Sequence, residues 1–121
     1  MQNYISLGVD EAQCAINAIQ TELINREMKA VIAVADAYGE LIGLLRLDGA
    51  PIPSILIAQN KAWTAARERK PTFEIGQAAR DPDNGFDMAY FGDPRYIGWG
   101  GGLPVFFNGF VIGAIAVPLL R

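Results

Sequence analysis

The chain has 121 residues, with ten Lys plus Arg against thirteen Asp plus Glu, a formal charge of −3, and no histidine. This length allows one domain, 1–121, that buries roughly two-thirds of its unfolded surface, and 51% hydrophobic residues are too many for a disordered chain. The acidic balance argues against a nucleic-acid partner, the single cysteine Cys14 excludes a disulfide framework or Cys-rich zinc site, and the missing histidine excludes His-based triads, His metal clusters and proximal-His haem ligation.

Met1-Gln2-Asn3-Tyr4-Ile5 shows no basic region followed by a long apolar run, so no export signal is expected and the cytoplasm is the default location. Residues 9–28 predict an amphipathic helix: Ala12, Ala15, Ile16, Ile19 and Leu23 fall at helical spacing, with Ser6 or Asp10 as candidate caps. Cys14 inside it reads as a small core or interface residue, since no cation or base is near in sequence. Residues 30–35 (AVIAVA) predict a buried strand, Asp36-Ala37-Tyr38-Gly39 a turn, and 41–47 the returning strand of a hairpin. Ser54 opens a second helix running to about Arg69, where Lys70-Pro71 stops it, and Thr72-Phe73-Glu74-Ile75-Gly76 starts a short third one.

Residues 80–100 mix Pro and Gly with Phe86, Tyr90, Phe91, Tyr96 and Trp99, and linkers seldom carry so many large rings, so this stretch predicts a functional loop. Residues 103–107, the turn Asn108-Gly109 and residues 110–117 predict a second hairpin. The uncharged run 96–120 is punctuated by Gly100-Gly101-Gly102, Pro104 and Asn108-Gly109, which suits buried sheet rather than a lipid-spanning helix, so no membrane partner is expected. Two hairpins separated by helices give an antiparallel sheet with helices packed on it, in the α+β class.

Three clusters stand apart from the core pattern. Arg46, Asp48, Ser54 and Lys61 offer cations, a carboxylate and a helix start, suited to an anionic ligand, or alternatively an ordinary surface ion pair. Gly100, Gly101 and Gly102 imply unusual φ, or the close approach of a backbone or ligand. Tyr90, Phe91, Tyr96 and Trp99 either wall an apolar pocket or anchor the loop or an oligomer interface. The acidic residues Asp81, Asp83 and Asp87 match no calcium loop, and no metal site is expected.

The run 31–41 with Asp36 and Gly39, then Arg46-Leu47-Asp48-Gly49-Ala50, Ser54, residues 57–58 and 61–65, followed by residues 100–105 and 109–115, resembles the GlcG/HbpS-like family over residues 7–117. The resemblance implies a profilin-like α/β/α fold with a five-stranded antiparallel sheet flanked by helices. It also implies homo-oligomers and, for some members, bound haem or a corrinoid. The positions it carries over are Arg46, Asp48, Ser54, Lys61, Thr64 and the glycines 100–102. It further implies a C-terminal helix after the last strand, whereas this sequence ends Val117-Pro118-Leu119-Leu120-Arg121. Either a neighbouring subunit covers that part of the sheet, or the sequence is a piece of a longer chain.

The first functional expectation is therefore a small-molecule binding or accessory protein for haem, a corrinoid or a related flat ligand. Without histidine, a haem would take Tyr, Lys, Met, Cys14 or no strong axial ligand; Tyr90 and Tyr96 are the tyrosine candidates, and Trp99 and the glycines line the site. The alternatives are an enzyme acting on a small carboxylate, with Arg46 gripping the anion and Lys61 or Asp48 moving a proton, and a structural subunit associating through residues 96–120.

Overall fold

The structure, a computed structural model, describes residues 1–118. Its first helix, α1 (Val9–Asn25), begins after Gly8, whose N–H donates to the Glu11 carboxylate at 2.7 Å. Asp10 lies inside the first turn beside Glu11, where carboxylates face the positive end of the helix dipole. Ser6 serves a different purpose from the expected cap: its hydroxyl accepts from the Ala37 N–H at 2.9 Å, tying the N-terminal segment to a turn far along the chain. Cys14 is exposed on α1, which corrects its reading as a core residue.

Strands β1 (Val31–Asp36) and β2 (Leu41–Arg46) pair antiparallel from Val31↔Arg46 to Ala35↔Leu41. Asp36 makes the turn between them, accepting from the Tyr38 and Glu40 N–H groups at 2.9 and 3.0 Å. Helices α2 (Ser54–Glu68) and α3 (Thr72–Ala79) follow, then a short 3₁₀ turn over Met88–Phe91, then β3 (Gly102–Phe107) and β4 (Phe110–Ala116). The sheet order is β2-β1-β4-β3 and every pairing is antiparallel. β1, an interior strand with both neighbours paired, is buried from Val31 to Ala35, and this is why it reads as an unbroken apolar run rather than an alternation.

The α+β class with helices on both faces is as expected, but the strand count is not. Four strands form among the described residues, not five. The two hairpins supply all four, and the fifth came only from the family resemblance. Among the described residues the N-terminal segment also lies against the sheet. It contributes a single backbone bond, Leu7 N–H to Ile112 O at 2.8 Å, too little for a strand. The uncharged run expected to be buried sheet does form the β3–β4 hairpin, but β3 lies at the sheet edge and its Leu103, Phe106 and Phe107 are exposed. No helix among the described residues is long and apolar enough to cross a membrane. The end of that run, Leu119, Leu120 and Arg121, lies outside the described residues.

The core has two layers. On one face, Ala12, Ile16 and Leu23 of α1 pack on Ile32 and Val34. On the other, Ala58 and Ala62 of α2 pack on Val31, Ala33, Ala35 and Ala116. Alanine against alanine brings the α2 backbone close to the sheet. That proximity positions the polar side chains of α2 described next.

Candidate functional site

α2 carries two polar side chains on its buried face, Lys61 and Thr64, at 3% and 0% exposure. Both reach across to the segment that enters β3. The Lys61 ammonium donates to Gly100 O at 2.6 Å. The Thr64 hydroxyl donates to Arg95 O at 3.0 Å and accepts from the Ile97 N–H at 3.2 Å. Thr72, the first residue of α3 and fully buried, accepts from the Gly102 N–H at 3.0 Å. Buried polar groups are tolerated where such partners exist, so each tether satisfies a side chain and orders the loop together.

Glycine makes this close packing possible. Gly101 adopts φ +123°, and a Cβ on Gly102 would lie 2.6 Å from Lys61 O. A Cβ on Gly76 of α3 would sit 1.9 Å from Gly98 O, so α3 and the loop touch backbone to backbone. Of the two uses foreseen for residues 100–102, unusual φ and close approach, the structure displays both, and the approaching backbone is that of α2.

The remainder of 80–100 is ordered by its own side chains. Asp81, Asp87 and Asp93 each accept from backbone N–H groups two or three residues onward. Backbone donors from Asn84 and Asp83 hold the exposed Asp81 carboxyl below the usual carboxylate range. Asp93 is held below it chiefly by the Arg95 guanidinium, with which it makes a two-pronged contact at 3.1 and 3.0 Å, and the same pairing raises Arg95. Arg95 in turn lies 4.2 Å over the ring of Trp63, and Arg67 lies 4.9 Å from the same ring. The indole N–H of buried Trp63 has no hydrogen-bond partner among the described residues.

The aromatic set divides into two roles. Phe86 stacks on Phe91 at 5.5 Å, Phe91 meets Tyr96 edge-on at 4.8 Å, and Tyr96 meets Trp63 edge-on at 4.8 Å, forming a ladder from the loop tip to α2. Tyr96 is half-buried within that ladder. Tyr90 is 89% exposed on the 3₁₀ turn, and among the described residues its side chain makes no hydrogen bond or ring contact. Trp99 is exposed.

Arg46 and Asp48 lie elsewhere. Both are exposed, form no ion pair with each other among the described residues, and line a cavity of about 360 Å³ with Gln20, Ile24 and Met28 of the α1 side. Ser54 begins α2 half-buried, and neither it nor Lys61 lines that cavity. The structure thus groups Lys61, Thr64 and the glycine run, and does not join Arg46 and Asp48 to them. Sequence reasoning missed Thr72, Arg95 and the Gly76–Gly98 contact. Each meets a partner 20 or more residues away, and the sequence marks Thr72 only as the start of a helix.

A family model described as "Haem degrading protein HbpS-like" matches residues 7–118. The chain belongs to the HbpS-like family. Among relatives of this HbpS-like chain, protein GlcG of Escherichia coli K12 is 32% identical over 117 residues, 97% of this chain and 84% of GlcG. The crystal structure of Klebsiella pneumoniae protein ORFY superposes with a TM-score of 0.91 at 31% identity, covering 100% of this chain and 83% of ORFY. PduOC, solved as a haem complex, shares the fold with a TM-score of 0.86 at 20% identity over 97% of this chain and 85% of PduOC.

Proposed function

We propose that this protein binds haem on the 80–100 loop, where the Tyr90 phenol would hold its iron. The observation that carries the reading is Tyr90 itself, a phenol 89% exposed on an ordered 3₁₀ turn, beside the stacked pair Phe86 and Phe91. Membership of a family described by haem degradation, and a fold that holds haem in PduOC, support the choice of ligand.

The donor set fits. With no histidine in the chain, tyrosinate is the strong oxygen donor that remains, and tyrosine is an established haem ligand type. The other tyrosines are engaged: Tyr4 donates to Gln2 at 2.8 Å and meets Tyr38 ring to ring, and Tyr96 is wedged between Trp63 and Phe91. Arg80, exposed at the foot of the same loop and in no ion pair among the described residues, is a partner for a propionate. Bound haem supplies an iron centre for redox chemistry. This chain's part is to present the phenol on a turn capped by the Asp87 carboxylate, in a loop whose later residues Arg95, Ile97 and Gly100 are held by Thr64 and Lys61.

The test is a haemin titration followed in the Soret region, with a corrinoid, hydroxocobalamin, as the second titrant. Saturable haemin binding that weakens at least about 10-fold in Tyr90→Phe and survives in Tyr96→Phe is expected. A featureless titration, or equal binding by wild type and Tyr90→Phe, overturns the assignment.

A further inference from the structure

We propose a second ligand site, for an amphipathic carboxylate, on the face formed by the C-terminal end of α2 and the N-terminal segment. Two cavities meet there, of about 200 and 310 Å³, and Arg69 lines both. The smaller is walled by Tyr38, Tyr96, Arg67 and Arg69. The larger is mostly apolar, with Tyr4, Ile5, Phe110 and Val111 on its walls. The rings of Tyr4 and Tyr38, one from each cavity, touch edge to face at 5.7 Å, which makes the two compartments neighbours on one surface.

Charge decides the ligand class. The protein is acidic overall, yet this site holds two guanidiniums and no carboxylate among its walls. Neither Arg67 nor Arg69 forms an ion pair among the described residues. Among the described residues Arg67 meets the Trp63 ring, makes a 3.5 Å contact to Tyr38 O and feels the Asp93 carboxylate at longer range, without an ion pair. Arg69 caps α2 in the left-handed region, φ +61°, and its side chain makes no hydrogen bond among the described residues. A forked guanidinium pair beside two phenols matches a carboxylate, which accepts bidentate bonds and phenol O–H donors alike. The adjoining apolar compartment fits an aromatic or medium-length hydrocarbon body on the same molecule. Nothing in this arrangement involves Tyr90.

The experiment titrates the full chain with 2-naphthoate, followed by calorimetry, beside the neutral 2-naphthylmethanol and the bodiless acetate. Saturable binding of 2-naphthoate is expected, with each comparator at least about 10-fold weaker. Arg69→Gln, on an exposed side chain, is expected to weaken 2-naphthoate about 10-fold while leaving the thermal midpoint in place, and Phe110→Ser to weaken it similarly. Tyr90→Phe leaves it unchanged. Equal affinity for the acid and the alcohol, absence of saturation, or full binding by Arg69→Gln overturns the proposal. Should Arg69→Gln shift the thermal midpoint, Arg69→Lys decides: it keeps the charge, loses the fork, and retains only part of the affinity.

Discussion

At the scale of single residues, the contact that governs the loop is the Asp93–Arg95 pair. Arg95 is held by the Asp93 carboxylate and in that position covers the Trp63 ring at 4.2 Å. Asp93 is depressed in the folded protein, so the unfolded chain binds the proton more readily. Stability from the pair is then fully present above the ordinary aspartate value, about pH 4, and is lost as pH falls through the folded value below it. In a Trp99→Phe background, which leaves Trp63 as the only indole, the emission is expected to change with a midpoint below about pH 4. Asp93→Asn abolishes that transition. A transition that persists in Asp93→Asn rules out this pair as its source. Such an arrangement is invisible in the sequence, where Asp93 and Arg95 are two loop charges and Trp63 lies 30 positions away in a helix.

At the scale of elements, whatever is set by neighbours in sequence was legible, and whatever is set by distant partners was not. Asn108-Gly109 and Asp36-Ala37-Tyr38-Gly39 mark their turns because the residues themselves favour the geometry. The tethers from Lys61 and Thr64 join positions 39 and 31 residues apart, and a lysine or threonine within a helix gives no sign of them. The end of α1 shows the same contrast. The periodicity runs to 28, yet the helix closes at Asn25 through Met28 N–H to Leu23 O at 2.9 Å and Glu27 N–H to Ile24 O at 3.0 Å. This is a Schellman closure with Glu27 in the left-handed position, φ +55°, where glycine is the usual signal. A non-glycine residue pays a steric penalty there, so Glu27→Gly is expected to stabilise the protein by about 0.5–1 kcal/mol. Chemical denaturation tests it: the midpoint rises with an unchanged slope. A lower midpoint means that the left-handed closure does not limit stability.

At the scale of the whole molecule, the two helical layers cover the sheet unequally. α2 packs on all four strands, whereas α1 packs chiefly on β1 and β2 and meets β4 at Ile115. On the α1 side the β4–β3 half receives Leu7 of the N-terminal segment, which lies over Gly113. β3 is also an edge strand, and its Leu103, Phe106 and Phe107 are 49–59% exposed. Soluble proteins blunt such edges with charge, proline or a covering element, and here only Pro104 interrupts an otherwise apolar strand. We infer that a second copy of the chain covers the β3 edge, because an apolar patch of this kind on a monomer invites association. Light scattering on the purified protein is expected to give a mass well above the 13.1 kDa of one chain. Leu103→Glu with Phe106→Glu, both on exposed positions of β3, is expected to return the chain to a folded monomer. A wild-type monomer at micromolar concentration, with intact circular dichroism, counts against the inference. An assembly that survives both substitutions moves the interface off the β3 edge.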